Sequence, residues 1–298
     1  MALGTTIRWG PAPLHVQFFN HKRKEIMSDH FNDLRELAAD FEALDIRIDE
    51  DKRDRVVAAM NRPKVLNAID QTMVDEFHAL CQWLENHPTI LIITGTTTPH
   101  PKDPARQRGI FASGADISQL RERRRADALR GVNSKIFSRI KALPMPVIAA
   151  IDGFALGGGA ELAWAADFRV ATTKVRVGQP ETGLGISPAA GAMWRIKELA
   201  GESIALELLL TGRILNAEEA LQYQLVNSVH EPEELMTATH ELADNIAKQD
   251  PLAVQVTKRV FQMPPSAHPW VDDLGQAILF ESEAKFDRMQ EFLDGRNK

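Results

Sequence analysis

Glu161 and Glu181 stand twenty residues apart, and each lies close to glycine. Glu161 follows Gly157, Gly158 and Gly159 in GFALGGGAELAW, and Glu181 lies in GQPETGLGI beside Pro180. Two carboxylates that meet near a carbonyl can divide base and acid work between them. Twenty residues allow a helix, a strand and a return to the same edge. The plainer alternative is that Glu161 complements a helix dipole and Glu181 is a solvated turn residue.

The glycines suggest a second kind of chemistry. PVIAAIDG is a continuous apolar run ending in glycine, the pattern of a strand buried on both faces. The residues after it predict a helix N-terminus just beyond Gly157–Gly159. The first N–H groups of a helix have no intrahelical acceptor, and the dipole there favours negative charge. Without side chains in the way, an oxygen can approach those N–H groups directly. That suits an anion formed during a reaction, as in an oxyanion hole. FASGADI (111–117) repeats the theme, so each segment could aim one N–H at the same oxygen. Taken singly, either turn is better explained by tight packing.

The elements that must position these groups follow from periodicity. Phe31, Leu34, Leu37, Phe41 and Leu44 predict a helix over 28–44, with Ser28 or Asp29 as cap. LDIRID and RVVAAMN read as strands, and Asp70 caps a helix whose apolar stripe includes Cys81. PTILIITG is a buried strand, whereas the proline-rich TTTPHPKDPARQRG is expected to be a surface loop. Leu129, Val132, Ile136, Phe137, Ile140 and Leu143 mark one further helix, stopped by Pro144 and Pro146. FRVATTKVRVG supplies one or two strands. From about Gly201 the pattern turns helical, with only LVNSV as a strand. Strands alternating with helices, then helices in succession, predict an α/β core with a helical C-terminal part.

The 298 residues, 44% hydrophobic and 26% charged, support a sizeable core. A net charge of -6 argues against nucleic acid as a partner. One cysteine excludes an internal disulfide and points to a reducing compartment, hence a cytoplasmic location. No apolar run approaches the ~20 residues of a membrane span. Residues 1–26, free of acidic residues until Glu25, read as an extension, with organellar targeting as the alternative. No His or Cys cluster has metal-ligand spacing, so neither metal nor cofactor is expected.

Taken together, NRPKVLNAI, FASGADI, IDGFALGGGAELAWAADFRVA, GQPETGLGI and LTGRILNAEEAL resemble, in order, the segments of the crotonase, or enoyl-CoA hydratase/isomerase, superfamily. The resemblance implies a crotonase-type ββα spiral core over 44–233. An N-terminal extension and helix over 1–43 would precede it, and a helical, oligomer-forming region over 234–298 would follow. It implies that the N–H groups of Ala115 and Gly158 hold the thioester oxygen of an acyl-CoA. Glu161 would then activate water and Glu181 would deliver a proton, as in enoyl-CoA hydratases. Gln179 would orient Glu181.

By the same resemblance, Lys64, Val65, Leu66, Ala112, Asp116, Ile117 and Gly157 contact substrate or CoA. Coenzyme A would be part of the substrate, and the assembly a homotrimer or homohexamer. Phe292 and Arg296 would be candidate contacts to a neighbouring subunit's CoA.

Some residues depart from the family pattern. Ser118 stands where many hydratases have a lysine, with RERRR (121–125) following as either a substitute charge or a solvated helix face. ISPAAGAMWRI is richer in Ala, Met and Trp than usual, so Trp194 either narrows the acyl pocket or joins the core. Gln224 occupies a position where glycine is common. An enoyl-CoA isomerase is the alternative within the superfamily, and a non-catalytic scaffold or RNA-binding protein is the alternative outside it. The acidic balance and the two glutamates weigh against the latter. A dinucleotide site is disfavoured because GFALGGGAE is not G-x-G-x-x-G.

Overall fold

The computed structural model describes residues 30–49 and 51–296. The expected cap at Ser28 or Asp29 and the extension over 1–26 lie outside the described residues. The described residues up to Asp40 belong to one unit and those from Phe41 onward to a second. In the first, α1 covers 30–38, with Phe31 and Leu34 buried. The expected helix over 28–44 therefore ends early, and Leu44 instead opens a strand.

Two sheets organise the second unit. The first has six strands in the order β1 (Leu44–Ile48), β2 (Arg55–Met60), β3 (Ile90–Thr94), β6 (Val147–Ile151), β8 (Phe168–Thr172) and β11 (Ser228–His230). All neighbours are parallel except β1 and β2. The second runs β10 (Ile214–Leu215), β9 (Arg176–Gly178), β7 (Phe154–Leu156), β5 (Asp103–Ala112) and β4 (Thr96–His100), with β5, β7 and β9 parallel. Along the chain, β6 passes to β7 and then α6 (Gly158–Ala165), and the next turn repeats with β8 and β9. This is a ββα spiral, alternating between the sheets.

The residue types account for these positions. Every residue of β3 and of β6 is buried, which is why ILIIT and VIAAI read as unbroken apolar runs. Val57, Ile90, Ile92, Ile148 and Val170 pack with Leu235 and Ala243 of α10 (Leu235–Ala247) in one apolar cluster. α2 (Gln71–Asn86) starts as expected, with Asp70 accepting from the Met73 N–H at 2.9 Å. Its Cys81 is fully buried, and burial pushes the thiol up to about 12. It is a core residue, not a nucleophile.

Three expectations are corrected. The proline-rich stretch is not a loop but the β4–β5 hairpin; β4 is an edge strand, where proline's missing N–H costs no ladder bond. The single helix around Leu129 is two, α4 (Arg125–Arg130) and α5 (Val132–Lys141), broken at Gly131 with φ 63°. Leu129 is exposed as a result. The two-residue strand β10 carries too few residues to show periodicity. Gln224 has φ 60°, the left-handed region that explains glycine's fitness for that position. Among the described residues, no helix is long and apolar enough to cross a membrane.

One side chain links the second sheet to the loop after β2. Asn67, fully buried with φ 53°, donates to the Ile110 and Phe111 carbonyls at 3.0 Å and accepts from the Arg62 N–H at 2.8 Å. Asn67→Ala leaves buried groups unpaired and loses a residue tolerant of left-handed backbone. A destabilisation of about 2–3 kcal/mol is expected, read as a lower urea midpoint with unchanged slope.

Candidate active site

The site lies where three parallel strands end together. β7 pairs with β9 up to Leu156 opposite Gly178, and β5 reaches Ala112 opposite Ala155. The residues that follow, Ser113–Ala115, Gly157–Gly158 and Gln179–Glu181, therefore leave the sheet at one edge. Ligands in open α/β sheets commonly bind beyond the carboxyl ends of strands.

Two N–H groups converge there. Ala115 forms a parallel bridge with Ile69, in which the Ile69 and Asp116 N–H groups donate, leaving the Ala115 N–H outside the bridge. Gly158 is the first residue of α6, so its N–H has no acceptor within the helix. A Cβ on Gly158 would stand 3.3 Å from the Ala115 nitrogen, in the space between the two donors.

Each of the three glycines has its own reason. Gly157 has φ 51°, and a Cβ on it would lie 2.7 Å from Glu181 Oε1. Gly158 leaves the approach to both N–H groups open. A Cβ on Gly159 would stand 2.3 Å from the Ala112 carbonyl oxygen, so its absence lets α6 seat on the end of β5.

The carboxylates share this cavity, of about 580 Å³, with Ala115, Gly157 and Gly158. Glu161, in the first turn of α6, is buried, and its Oε1 accepts from the N–H groups of Ala190 at 2.7 Å and Ala192 at 3.0 Å. Burial pushes its carboxyl above the usual carboxylate range, while the Ala192 and Ala190 N–H groups and the Arg195 charge pull the other way. Glu181, in a short 3-10 turn over Glu181–Leu184, is also buried, and its Oε2 has no hydrogen-bond partner. Burial raises its pKa to about 7, opposed by its own backbone N–H and reinforced by the Glu161 charge. One carboxylate is held by two donors; the other retains a proton near neutrality. That asymmetry fits one base and one acid.

Arg195 completes the arrangement and was not singled out from the sequence. It lies in α7 (Ala192–Ala200), is buried, and donates from Nη1 to the Ala190 carbonyl at 2.9 Å. It thereby fixes the loop whose N–H groups hold Glu161. Gly191 has φ 126°, and a Cβ on it would fall 1.8 Å from Arg195 Nη1. The available signal was Arg195's place four residues after Gly191 and three after Ala192, on the inward helical face.

Other expected site residues fall in different places. Gln179 does not orient Glu181: its Nε2 donates to the Gly157 carbonyl at 3.1 Å and its Oε1 has no partner, so it secures the glycine turn instead. Ile117 lines the cavity, whereas Lys64, Val65 and Leu66 do not. Those three lie beside it, where the Leu66 carbonyl accepts from the Ser113 N–H at 3.0 Å. Ala112 is fully buried against Gly159. Asp116 caps α3 (Ile117–Glu122), accepting from the Ser118 N–H at 3.1 Å.

Trp194 neither narrows the cavity nor joins the core. It is half exposed, with the Arg195 guanidinium 4.3 Å over its ring. Phe292 and Arg296 stack on one another in α13 (Glu283–Arg296), 4.9 Å apart, and do not line this cavity. Arg123, Arg124 and Arg125 do line it. Among the described residues, no group of three or more His, Cys, Asp or Glu side chains could hold a metal.

The sequence profile of the enoyl-CoA hydratase/isomerase family matches residues 53–288. The short-chain-enoyl-CoA hydratase of Clostridium acetobutylicum is 38% identical over 230 residues, which are 76% of this chain and 83% of that protein. The crotonyl-CoA hydratase of Syntrophomonas wolfei is 37% identical over 239 residues, 79% of this chain and 86% of that one. The crystal structure of an enoyl-CoA hydratase from Bacillus anthracis aligns with a TM-score of 0.76 at 27% identity, covering 85% of this chain and 97% of its own.

The raised pKa makes Glu181 a test of the geometry. In protein carrying 13C-labelled glutamate, one carboxyl should titrate near 7, and Glu161→Gln should lower that midpoint by removing a like charge. Because the folded pKa lies above the unfolded one, wild type should lose stability relative to Glu181→Gln as pH rises from ~4.5 to 7, and no further above that. Denaturant titrations at a series of pH values measure the difference.

Proposed function

The chain belongs to the enoyl-CoA hydratase/isomerase family and is an enoyl-CoA hydratase; we propose that Glu161 and Glu181 add water across the 2,3 double bond of a 2-enoyl-CoA. The observation that carries this division is the unequal hydrogen bonding of the two carboxylates around one cavity. In the bound thioester, the carbonyl oxygen accepts from the Ala115 and Gly158 N–H groups. As the water oxygen bonds to Cβ, negative charge builds on that carbonyl oxygen. A preorganised donor at such a position is typically worth ~3 kcal/mol, or ~100-fold in rate.

Glu161 takes the proton that the attacking water loses, because its anionic form is supported by two N–H groups and by Arg195. Glu181 gives its proton to Cα. Return of a proton from Glu161 to Glu181 resets the pair. The role of Arg195 is positional: it holds the Ala190 carbonyl and so aims the Ala190 and Ala192 N–H groups. The steps of this reading use the two carboxylates and the two N–H groups, with coenzyme A as part of the substrate. CoA contacts at Lys64, Val65, Leu66, Ala112, Asp116, Ile117 and Gly157 belong to the same proposal.

Assembly as a homotrimer or homohexamer is supported by apolar side chains left open on the C-terminal helices. These include Trp270, Leu274 and Ile278 of α12 (Trp270–Phe280) and Phe292 and Leu293 of α13. A cytoplasmic location agrees with the single, buried cysteine.

Loss of the conjugated-thioester absorbance of crotonyl-CoA tests the reaction. Wild type should hydrate it, and Glu161→Gln and Glu181→Gln should each lower kcat by ~10²–10⁴. The profile of kcat/KM should be bell-shaped. It should fall at low pH as Glu161 gains a proton, and above about 7 as Glu181 loses the proton it must deliver. Arg195→Met should move the low-pH limb upward, since it removes a charge that keeps Glu161 ionised. A folded wild type that leaves crotonyl-CoA and longer 2-enoyl thioesters untouched would reject the hydratase reading.

A further inference from the structure

The cavity lining holds three chemically distinct sets of residues. Ala115, Gly158, Glu161 and Glu181 form the polar set, and Ile117, Leu120, Val132, Leu184 and Ile186 the apolar one. Arg123, Arg124 and Arg125 line it too, from the corner where α3 gives way to α4. Ile117 opens α3 just after Ala115, and the six residues of the helix rise ~9 Å, so the cationic corner stands about one helix length along the chain from the hole.

We propose that this corner binds a carboxylate carried at the end of the acyl chain, so that the preferred substrates are CoA thioesters of unsaturated dicarboxylic acids. The proposal rests on the hydratase reading only for the position of the thioester.

Three observations on the arginines support it. The side chains of Arg123 and Arg125 make no hydrogen bond or ion pair among the described residues, and Arg124 donates only to the Arg121 and Arg123 carbonyls, at 3.2 and 3.3 Å. Asp127, the one acidic side chain nearby on the cavity wall, is hydrogen-bonded to the Arg130 guanidinium and the Arg124 N–H and feels the Arg123 charge without a hydrogen bond to it, so one carboxylate faces several cations. Three guanidinium groups at consecutive positions without a carboxylate hydrogen-bonded to any of them can take up a further anion.

A guanidinium pairs with a carboxylate in a two-pronged geometry.

The phosphates of CoA offer the same anionic chemistry, and a binding experiment separates the two sources. Calorimetry would compare hexanoyl-CoA, the same thioester with a carboxylate on its sixth carbon, and free CoA, on wild type and on Arg123→Gln/Arg125→Gln. These thioesters are saturated, so no turnover intervenes, and crotonyl-CoA hydration on the same preparations reports separately on the reaction. Wild type should bind the carboxylate-terminated thioester roughly five- to thirtyfold more tightly than hexanoyl-CoA. That ratio should shrink with rising salt, and in the double variant it should approach one. A ratio of one in wild type would overturn the proposal. So would a double variant that weakens all three ligands by the same factor, because the arginines would then serve CoA phosphates. Thermal melts would verify that the variant is folded; should it not be, Arg125→Gln alone, at an exposed position, carries the same comparison.

Discussion

The seating of Gly159 against the Ala112 carbonyl, with room for no side chain between them, is the contact on which the rest of the site depends. It brings α6 onto the end of β5 and sets the Gly158 N–H beside the Ala115 N–H. The hole belongs to neither segment. It is produced by the closeness of the two, and that closeness is a property of backbone against backbone. Parallel pairing of β5, β7 and β9 then delivers Gln179 and Glu181 to the same edge.

Once the edge is assembled, burial decides the electrostatics. Both glutamates lose water, which disfavours the charged form of each. The structure compensates the two unequally. Glu161 receives two backbone N–H groups from a loop that a buried arginine holds by its carbonyl, whereas Glu181 Oε2 has no partner. Two identical side chains in one cavity thus meet different hydrogen-bond surroundings. Arg195 is as much a part of this as the carboxylates, because an N–H group supports an anion only if its peptide is prevented from turning away.

Side chains explain how the turns of such a site are held. Asn67, Gly157 and Gly191 all sit at positive φ, which glycine adopts freely, and polar side chains hold each turn: Asn67 through the β5 carbonyls, Gly157 through the Gln179 amide and the Ala190–Gly191 turn through the Arg195 guanidinium on the Ala190 carbonyl. Polar side chains acting on backbone secure these turns where no regular ladder can. The apolar strands β3 and β6 behind them supply the rigidity.

Much of this was legible in the sequence. The apolar runs of β3 and β6, the Asp70 cap and the glycine run before Glu161 are local signals, in which neighbouring residues determine neighbouring geometry. The ordered segments from NRPKVLNAI to LTGRILNAEEAL carried the family and its fold, and they contain Ala115, Gly158, Glu161 and Glu181.

What the sequence could not convey was any relation between distant residues. The PHPKDPAR stretch reads as a loop because proline is a poor strand former, and only the edge position of β4 makes it tolerable. Gln179 was expected at Glu181 because they are neighbours in the chain, yet its amide faces the Gly157 carbonyl twenty-two residues away. Arg195 looked like an ordinary helix residue until folding placed it behind Ala190, and the RERRR run reads as a solvated face until the cavity reaches Arg123–Arg125. Residue types and local periodicity determined the elements and the candidate chemistry. Tertiary packing alone decided which buried carboxylate receives two backbone N–H groups and which keeps an oxygen without a partner, because desolvation and hydrogen-bond partners exist only once the chain has closed around them.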